Sequence, residues 1–183
     1  MLNEKQLFRL SKFLSLVLRH KPHLLGIKLD ANGWVSIEDL LKANAAHDTH
    51  VIMTLDSIKQ AVATNNKKRF AISPDGLMIR ASQGHSVPIE LNLGDVEPPT
   101  ILYHGTVDLY MDSIKTSGLK RGHRNHVHLS ADIETANKVG RRRGKPVILE
   151  IKAKWMHNDG HKFFLSDNGV WLTDHVPTKY LRL

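Results

Sequence analysis

Residues 92–99 read Asn-Leu-Gly-Asp-Val-Glu-Pro-Pro, a stretch with one glycine and two consecutive prolines. Such residues interrupt helices and strands, so we predict that this stretch connects two folded parts. The chain has 183 residues, which is enough for two small lobes. We therefore predict one lobe over residues 1–92 and a second over residues 93–183.

The pattern before this stretch is mainly helical. Asn3 and Gln6 have the spacing of a capping box, and the apolar residues that follow recur at helical spacing until Pro22. Ser36 caps a second predicted helix, after a short strand at 34–35, and a third is predicted from about Thr54 to residue 65. Residues 69–72 and 77–80 flank a Ser-Pro-Asp-Gly turn and predict a β-hairpin. This combination is typical of a winged-helix module.

The pattern after the stretch is richer in strands. Strands are predicted at 101–103, 127–129, 146–151 and near 180–181, and helices at 108–117 and 132–139. Residues 163–165 and 170–172 flank a Ser-Asp-Asn-Gly turn, which indicates another hairpin. The predicted fold class is therefore α+β in two lobes.

Composition limits the classes of protein to consider. The net charge is +8, and the two lobes share it equally. A basic surface favours polyanions such as nucleic acid, although solubility alone is an equal explanation. The absence of cysteine excludes disulfides, thiolate zinc sites and a cysteine nucleophile. No apolar run approaches the roughly 20 residues of a membrane span, and no signal-peptide core follows the N-terminus, so a cytoplasmic protein is expected.

Two common kinds of site are not indicated. The sequence has neither a Walker loop nor the Gly-x-Gly-x-x-Gly pattern, so a bound nucleotide would be held in another way. His104, His123, His126 and His128 are the densest histidine group, but no His-Glu-x-x-His motif and no suitably spaced carboxylate accompany them. No metal site is predicted.

Several polar clusters each allow a plain explanation. Arg19 and His20 at a helix end could simply complement the helix dipole and have no further role. Arg69, after two lysines, could be a solvated turn, and the arginines at 141–143 a basic surface loop. The polar run at 83–86 could be an ordinary loop. His104-Gly105-Thr106, after a strand, suggests that a ligand approaches the backbone closely there. Residues 128–130 form a similar triplet on another strand. Each signal is weak alone.

Taken together, these pieces resemble the RNA 2′-phosphotransferase family over nearly the whole chain. Eight stretches occur in the family's order, and they include LRHKP, DANGWV, KRF, IRASQGHS, LYHGT, HLS, VGRRRGKP and NGVWL, which begin at residues 18, 30, 68, 79, 102, 128, 139 and 168. The resemblance implies an N-terminal winged-helix lobe for RNA and a C-terminal lobe with the ADP-ribosyltransferase fold for NAD.

The resemblance also implies residue roles. The family's catalytic Arg-His-Arg-Arg set falls on Arg19, His20, Arg69 and Arg142. The family usually has histidine where this chain has Arg143, and Arg142 is chosen because it keeps the register with the glycines at 140 and 144. NAD-binding residues are expected at Tyr103, His104, Gly105, Thr106, His128, Leu129, Ser130 and Val170. RNA contacts are expected at Lys21, Lys68, Gln83, His85, Arg141 and Arg143.

The implied reaction transfers the 2′-phosphate of RNA to NAD, with tRNA among the candidate RNAs. It gives 2′-hydroxyl RNA, nicotinamide and ADP-ribose 1″,2″-cyclic phosphate. The glutamate common in protein ADP-ribosyltransferases has no counterpart, since Val170 lies near its place. Two alternatives stay open: an ADP-ribosyltransferase that caps terminal phosphates of nucleic acids, and a non-enzymatic winged-helix regulator that binds nucleic acid.

Overall fold

A computed structural model describes all residues, 1–183. The chain divides into two compact units, residues 1–92 and 93–183, and each is described by itself. Both units combine helices with antiparallel sheets, so the mixed α/β class expected from the sequence is confirmed. None of the helices combines the length and the apolar character that crossing a bilayer would require.

The first unit contains the three predicted helices: α1 (Glu4–Arg19), α2 (Ile37–Ala46) and α3 (Leu55–Ala63). Asn3 and Gln6 form both hydrogen bonds of the predicted capping box at the start of α1. Ser36 caps α2, and Thr54 caps α3. These caps supply acceptors for backbone N–H groups that a helix start leaves without partners. The capping box at Asn3 and the cap at Ser36, both predicted from the sequence, are therefore confirmed.

A three-stranded antiparallel sheet completes the first unit, with strands β1 (Val35–Ser36), β2 (Phe70–Ile72) and β3 (Met78–Ala81) in the order β1-β3-β2. The predicted hairpin is confirmed, with Phe70 opposite Ala81. The four residues that point from α1 into the core are wholly buried: Leu10, Leu14, Val17 and Leu18. They pack with apolar residues of α2, α3 and the hairpin in one core.

The second unit contains three small sheets. Strand β4 (Leu102–Val107) pairs with β7 (Pro146–Ile151), which also pairs with β11 (Leu181–Arg182). Strand β9 (Trp171–Thr173) lies between β6 (Val127–Leu129) and β8 (Phe164–Leu165). Strands β5 (Leu119–Lys120) and β10 (His175–Val176) form a two-stranded pair that the sequence did not predict.

Three helices belong to the second unit: α4 (Met111–Ser117), α5 (Ile133–Gly140) and α6 (Ala153–Asn158). Asp132 caps α5 through a 2.7 Å hydrogen bond from the backbone of Thr135. Short 3₁₀ turns at Asp108–Tyr110 and Arg141–Arg143 precede α4 and follow α5. The helix α6 was not predicted, because its six residues have no side-chain cap and no long apolar pattern.

Two sequence-based expectations need correction. The predicted strand at 101–103 extends to Val107, so His104, Gly105 and Thr106 lie within β4 and do not follow it. The predicted connection at 92–99 has no helix or strand, but it is attached to the second unit. The Asp95 carboxylate accepts a hydrogen bond from the Phe163 backbone, and the Val96 backbone donates to the Phe163 carbonyl.

Candidate active site

The end of α1 presents Arg19 and His20 together. Arg19 is the last helical residue and His20 is the C-cap, as the sequence predicted. The Arg19 carbonyl accepts hydrogen bonds from the backbone N–H of Ser86 at 2.9 Å and of Val87 at 3.4 Å. The Ser86 hydroxyl lies 2.9 Å from Nδ1 of the His20 ring. A loop 66 residues away in sequence therefore holds both the backbone and a side chain at this helix end.

The same loop reaches Arg69 at its other end. Arg69 directly precedes β2, and its carbonyl accepts a 2.8 Å hydrogen bond from the Ser82 backbone. The Ser82 hydroxyl donates to the Lys68 carbonyl, also at 2.8 Å. Residues 82–87, called the bridging segment below, thus link the hairpin to the end of α1. Three of the four expected catalytic residues are gathered on this segment, and the fourth, Arg142, belongs to the second unit.

His85, in the middle of the bridging segment, is buried and only 2% exposed. Burial, together with the positive charges of Arg19, His20 and Arg80, lowers the pKa of His85 to about 4. Its Nε2 has no hydrogen-bond partner and faces Gly33, where an added Cβ would lie 3.2 Å away. The expected RNA contact of His85 stays a prediction, and in the free protein the side chain is buried among its neighbours.

The other expected RNA contacts of this unit differ in exposure. Lys21 and Lys68 are exposed, and Lys68 has a left-handed backbone with φ of 42° at the tight turn before β2. Gln83 is partly buried, and its side-chain oxygen has no hydrogen-bond partner. The two lysines can thus meet a polyanion directly, whereas Gln83 is only partly accessible.

Sequence reasoning missed Arg80 as part of this cluster. Arg80 lies on β3 between buried Ile79 and Ala81, so strand alternation places its side chain on the other face of the sheet. Its guanidinium carbon is 4.6 Å from the centre of the Trp34 ring, a cation–π arrangement. The alternation in residues 78–81 was the available signal, since one charged residue stands between two buried apolar ones.

In the second unit, the two histidine triplets lie side by side. Nδ1 of His104, on β4, is 2.9 Å from the His128 carbonyl on β6. Partial burial lowers the pKa of His104, this hydrogen bond raises it, and the charge of Arg143 lowers it further; the net direction is down. The lowered pKa favours the neutral form of the His104 imidazole.

Tyr103 and Ser130 lie next to each other, on β4 and directly after β6. Tyr103 and Ser130 exchange two backbone hydrogen bonds of 2.9 and 2.8 Å. Leu129, next to Ser130, pairs with Trp171 between β6 and β9. Val170 precedes β9, and its backbone exchanges hydrogen bonds with Ser166.

The expected NAD-binding residues of β4 divide between its two faces. Successive side chains of a strand point to opposite faces, so His104 and Thr106 share the face of core residue Leu102, while Tyr103 and Gly105 lie on the other. The helix α5 covers that second face at Gly105. A Cβ there would come within 1.8 Å of the Ala136 carbonyl oxygen. The absence of a side chain at Gly105 thus allows the backbone of α5 to pack against β4. The sequence had predicted that a ligand would approach the backbone there.

The three arginines after α5 point in different directions, because side chains of a 3₁₀ turn are about 120° apart. All three are exposed. The guanidinium of Arg143 lies 5.7 Å from the centre of the Tyr110 ring, and its charge acts on His104. Arg142 and Arg143 both act electrostatically on Arg124.

Arg124 is a further member of this cluster that the sequence analysis missed. Its guanidinium lies 2.7 Å from Nδ1 of His128. Burial first, and then the charges of Arg143 and Arg142, lower the pKa of Arg124, although an arginine stays protonated at neutral pH. Arg124 therefore contacts His128, Arg143 lies close enough to His104 to lower its pKa, and Arg142 acts on Arg124. No group of three or more histidine or carboxylate side chains lies close enough to hold a metal ion.

Comparison with known proteins identifies the family. Residues 5–175 match the family model described as RNA 2'-phosphotransferase, Tpt1 / KptA family. A protein of Rhodopirellula baltica named "Probable RNA 2'-phosphotransferase" is 56% identical, and the match covers 97% of this chain and 96% of that protein. Proteins with the same name from Hahella chejuensis and Streptomyces coelicolor are 54% and 48% identical, over 98% and 99% of this chain and 96% and 97% of their own length. The chain therefore belongs to the RNA 2′-phosphotransferase family and is a transferase.

Proposed function

We propose that this enzyme removes a 2′-phosphate from RNA and that NAD is the acceptor. The observation that carries the proposal is the hydrogen bond that joins His104 to the His128 carbonyl, beside Arg124, Arg142 and Arg143. NAD carries two phosphates, and guanidinium groups bind phosphate oxygens in a forked geometry. Neutral imidazole and hydroxyl groups, such as those of His104 and Ser130, suit the hydroxyls of a ribose.

The first step forms a bond between an oxygen of the RNA 2′-phosphate and the ribose carbon that bears nicotinamide. The bond from that carbon to the nicotinamide nitrogen breaks, and nicotinamide leaves with the electron pair. The phosphate nucleophile is already ionised at neutral pH, so this step needs no strong base. It does need positive charge, because the phosphates of NAD repel the incoming phosphate. In this proposal Arg19, Arg69 and Arg142 supply that charge.

In the second step, the ribose 2″-hydroxyl oxygen attacks the transferred phosphorus. The bond from phosphorus to the RNA 2′-oxygen breaks, and that oxygen takes up a proton. The products are 2′-hydroxyl RNA and ADP-ribose 1″,2″-cyclic phosphate. Negative charge builds on the phosphoryl oxygens during this step, so preorganised arginines stabilise its transition state. His20 is a suitable group to take the proton of the 2″-hydroxyl, since a histidine titrates near neutral pH.

The proposal assigns a role to each unit. The helices and hairpin of residues 1–92 would act as a winged-helix module that binds RNA, with Lys21 and Lys68 on phosphates. Residues 93–183 would act as an ADP-ribosyltransferase-like module for NAD, with Arg141 and Arg143 adding RNA contacts. We expect the enzyme in the cytoplasm, with 2′-phosphorylated RNA, tRNA included, as substrate.

A 2′-phosphorylated oligonucleotide incubated with and without NAD, in the presence of a chelator, tests the proposal. We expect phosphate removal, nicotinamide and the cyclic phosphate only when NAD is present. Phosphate removal without NAD would contradict the proposal, as would loss of activity in chelator. A stable ADP-ribosylated product, formed at a terminal phosphate, would instead indicate the capping reaction.

Variants in single-turnover assays test the residue roles. Alanine at Arg19, His20, Arg69 or Arg142 should slow the second step by about 10²–10³, because each loses a preorganised group that meets developing charge. Some of these variants should accumulate ADP-ribosylated RNA. Arg182→Ala is the matched control, since Arg182 is exposed and pairs only with Glu150 in the β11–β7 ladder. Wild-type rates in all four site variants would remove the assignment.

A further inference from the structure

His20 lies at the C-terminal end of α1. It is exposed and forms the C-cap of α1, and its backbone is no longer helical. Contacts of an exposed side chain select among its rotamers. The hydrogen bond of 2.9 Å between Nδ1 and the Ser86 hydroxyl is one such contact, and it acts on the ring itself.

The position of Ser86 is defined by contacts on both sides of it. Its backbone N–H donates to the Arg19 carbonyl, one residue before His20. The preceding residue, His85, is buried and anchors the bridging segment in the unit. The far end of the segment is fixed by the two hydrogen bonds of Ser82 to Arg69 and Lys68. The Ser86 hydroxyl is thus a preorganised group, and the His20 ring is oriented relative to Arg19 through one short segment.

We propose that Ser86 is a positioning residue that fixes the ring of His20 through Nδ1, so that His20 exchanges protons with the substrate through Nε2. The second half of this inference rests on the proposed function, because it concerns the proton of the attacking 2″-hydroxyl. The first half concerns the free protein and does not need the substrate. The two ring nitrogens of histidine are distinct, and the hydrogen bond that one of them makes influences which of them carries the proton.

The chemistry of the neighbouring His85 agrees with this arrangement. With its pKa lowered to about 4, His85 is neutral at the working pH and adds no further charge beneath Arg19, His20 and Arg80. A neutral, buried ring can fill space between these cations without repelling them. The bridging segment therefore positions Ser86 without competing for the substrate's phosphate.

Three substitutions at Ser86 separate the hydroxyl from the space it fills. Ser86→Ala removes the hydroxyl, while Ser86→Thr and Ser86→Val have nearly the same shape and differ in carrying a hydroxyl or a methyl group. Ser36→Ala is the control, because Ser36 caps α2 through the Asp39 backbone and affects stability away from His20. Ser86 is exposed, so these changes should leave the unit folded.

The first measurement is the ¹⁵N spectrum of the His20 ring in the free protein, assigned by comparison with His20→Gln. We expect Ser86→Ala and Ser86→Val to change the Nδ1 and Nε2 shifts, and Ser86→Thr and Ser36→Ala to leave them as in the wild type. Ring shifts that are unchanged in both Ala and Val variants would overturn the inference, whatever reaction the enzyme performs.

The second measurement is single-turnover kinetics with the ADP-ribosylated intermediate resolved. Loss of one neutral hydrogen bond corresponds to about a tenfold effect. We expect Ser86→Ala and Ser86→Val to slow the second step about tenfold and the first step by less than about twofold, with recovery in Ser86→Thr. Equal slowing of both steps, or equal slowing by Ser36→Ala, would contradict a positioning role. A wild-type enzyme that releases no nicotinamide would instead refute the proposed function, and the ring spectra would still stand.

Discussion

The buried His85 should make the stability of the first unit depend on pH. Its pKa is about 4 in the folded protein and 6.5 when unperturbed, so the unfolded chain binds its proton first. The stability that comes from keeping the ring neutral is present in full above about pH 6.5. It decreases as the pH falls toward about 4, because the unfolded chain then binds a proton that the folded protein does not. Proton linkage gives a loss of about 2 kcal/mol between pH 7.5 and pH 5.

His85→Gln tests this reasoning, because it removes the titrating group and keeps a polar side chain of similar reach. We expect a lower stability for the variant at pH 7.5 but a weaker pH dependence, by about 2 kcal/mol over the same interval. Urea titrations at both pH values, followed on NMR signals of the α1 amides, report the first unit alone. His104 and His126, whose pKa values are also lowered, are present in both proteins and cancel in the comparison.

Two results would refute the account of His85. Wild type and variant could lose the same free energy on acidification, within about 0.5 kcal/mol, which would mean that the ring is not held neutral. Alternatively, direct NMR titration could find the His85 ring titrating near its ordinary value of 6.5.

Three further predictions concern other parts of the molecule. Gly105→Ala should lower the free energy of unfolding by about 1–3 kcal/mol or more, as measured by denaturant titration, because the added methyl meets the Ala136 carbonyl; wild-type stability would contradict that contact. Tyr180→Phe should cost about 1.5–3 kcal/mol, measured in the same way, since the buried hydroxyl donates to Asp159 at 2.6 Å; a loss below about 0.5 kcal/mol would argue against it. The affinity for single-stranded RNA should fall with salt, and Lys21→Ala should reduce the slope of log affinity against log salt by about 0.7; an unchanged slope would exclude a phosphate contact at Lys21.

The parts of the fold that sequence could predict are those set by neighbours along the chain. The caps at Asn3, Ser36 and Thr54 and the hairpin around residues 73–77 follow from local hydrogen bonding and turn preferences. These interactions are complete within a few residues, so their pattern is visible in the sequence. The same is true of Arg19 and His20, whose place at a helix end follows from Pro22.

Long-range pairing explains what the sequence did not reveal. The polar residues of 104–106 do not look like a strand, but β7 supplies a partner for each of them. His85 looks like a loop residue, and its burial depends on packing beside Gly33, fifty-two positions earlier. Arg124 could not be recognised, because its partner His128 matters only once His104 and the arginines after α5 are nearby.

The bridging segment has a consequence for how the enzyme would lose activity. Its six residues connect two positions fifty residues apart, and the contacts that hold it are a handful of loop hydrogen bonds beside one buried ring. Segments of this kind open at a smaller free-energy cost than the helices around them. Heat or mild denaturant would therefore inactivate the enzyme while circular dichroism still records intact helices, and RNA bound at this segment would slow amide hydrogen exchange there before it changed the melting temperature.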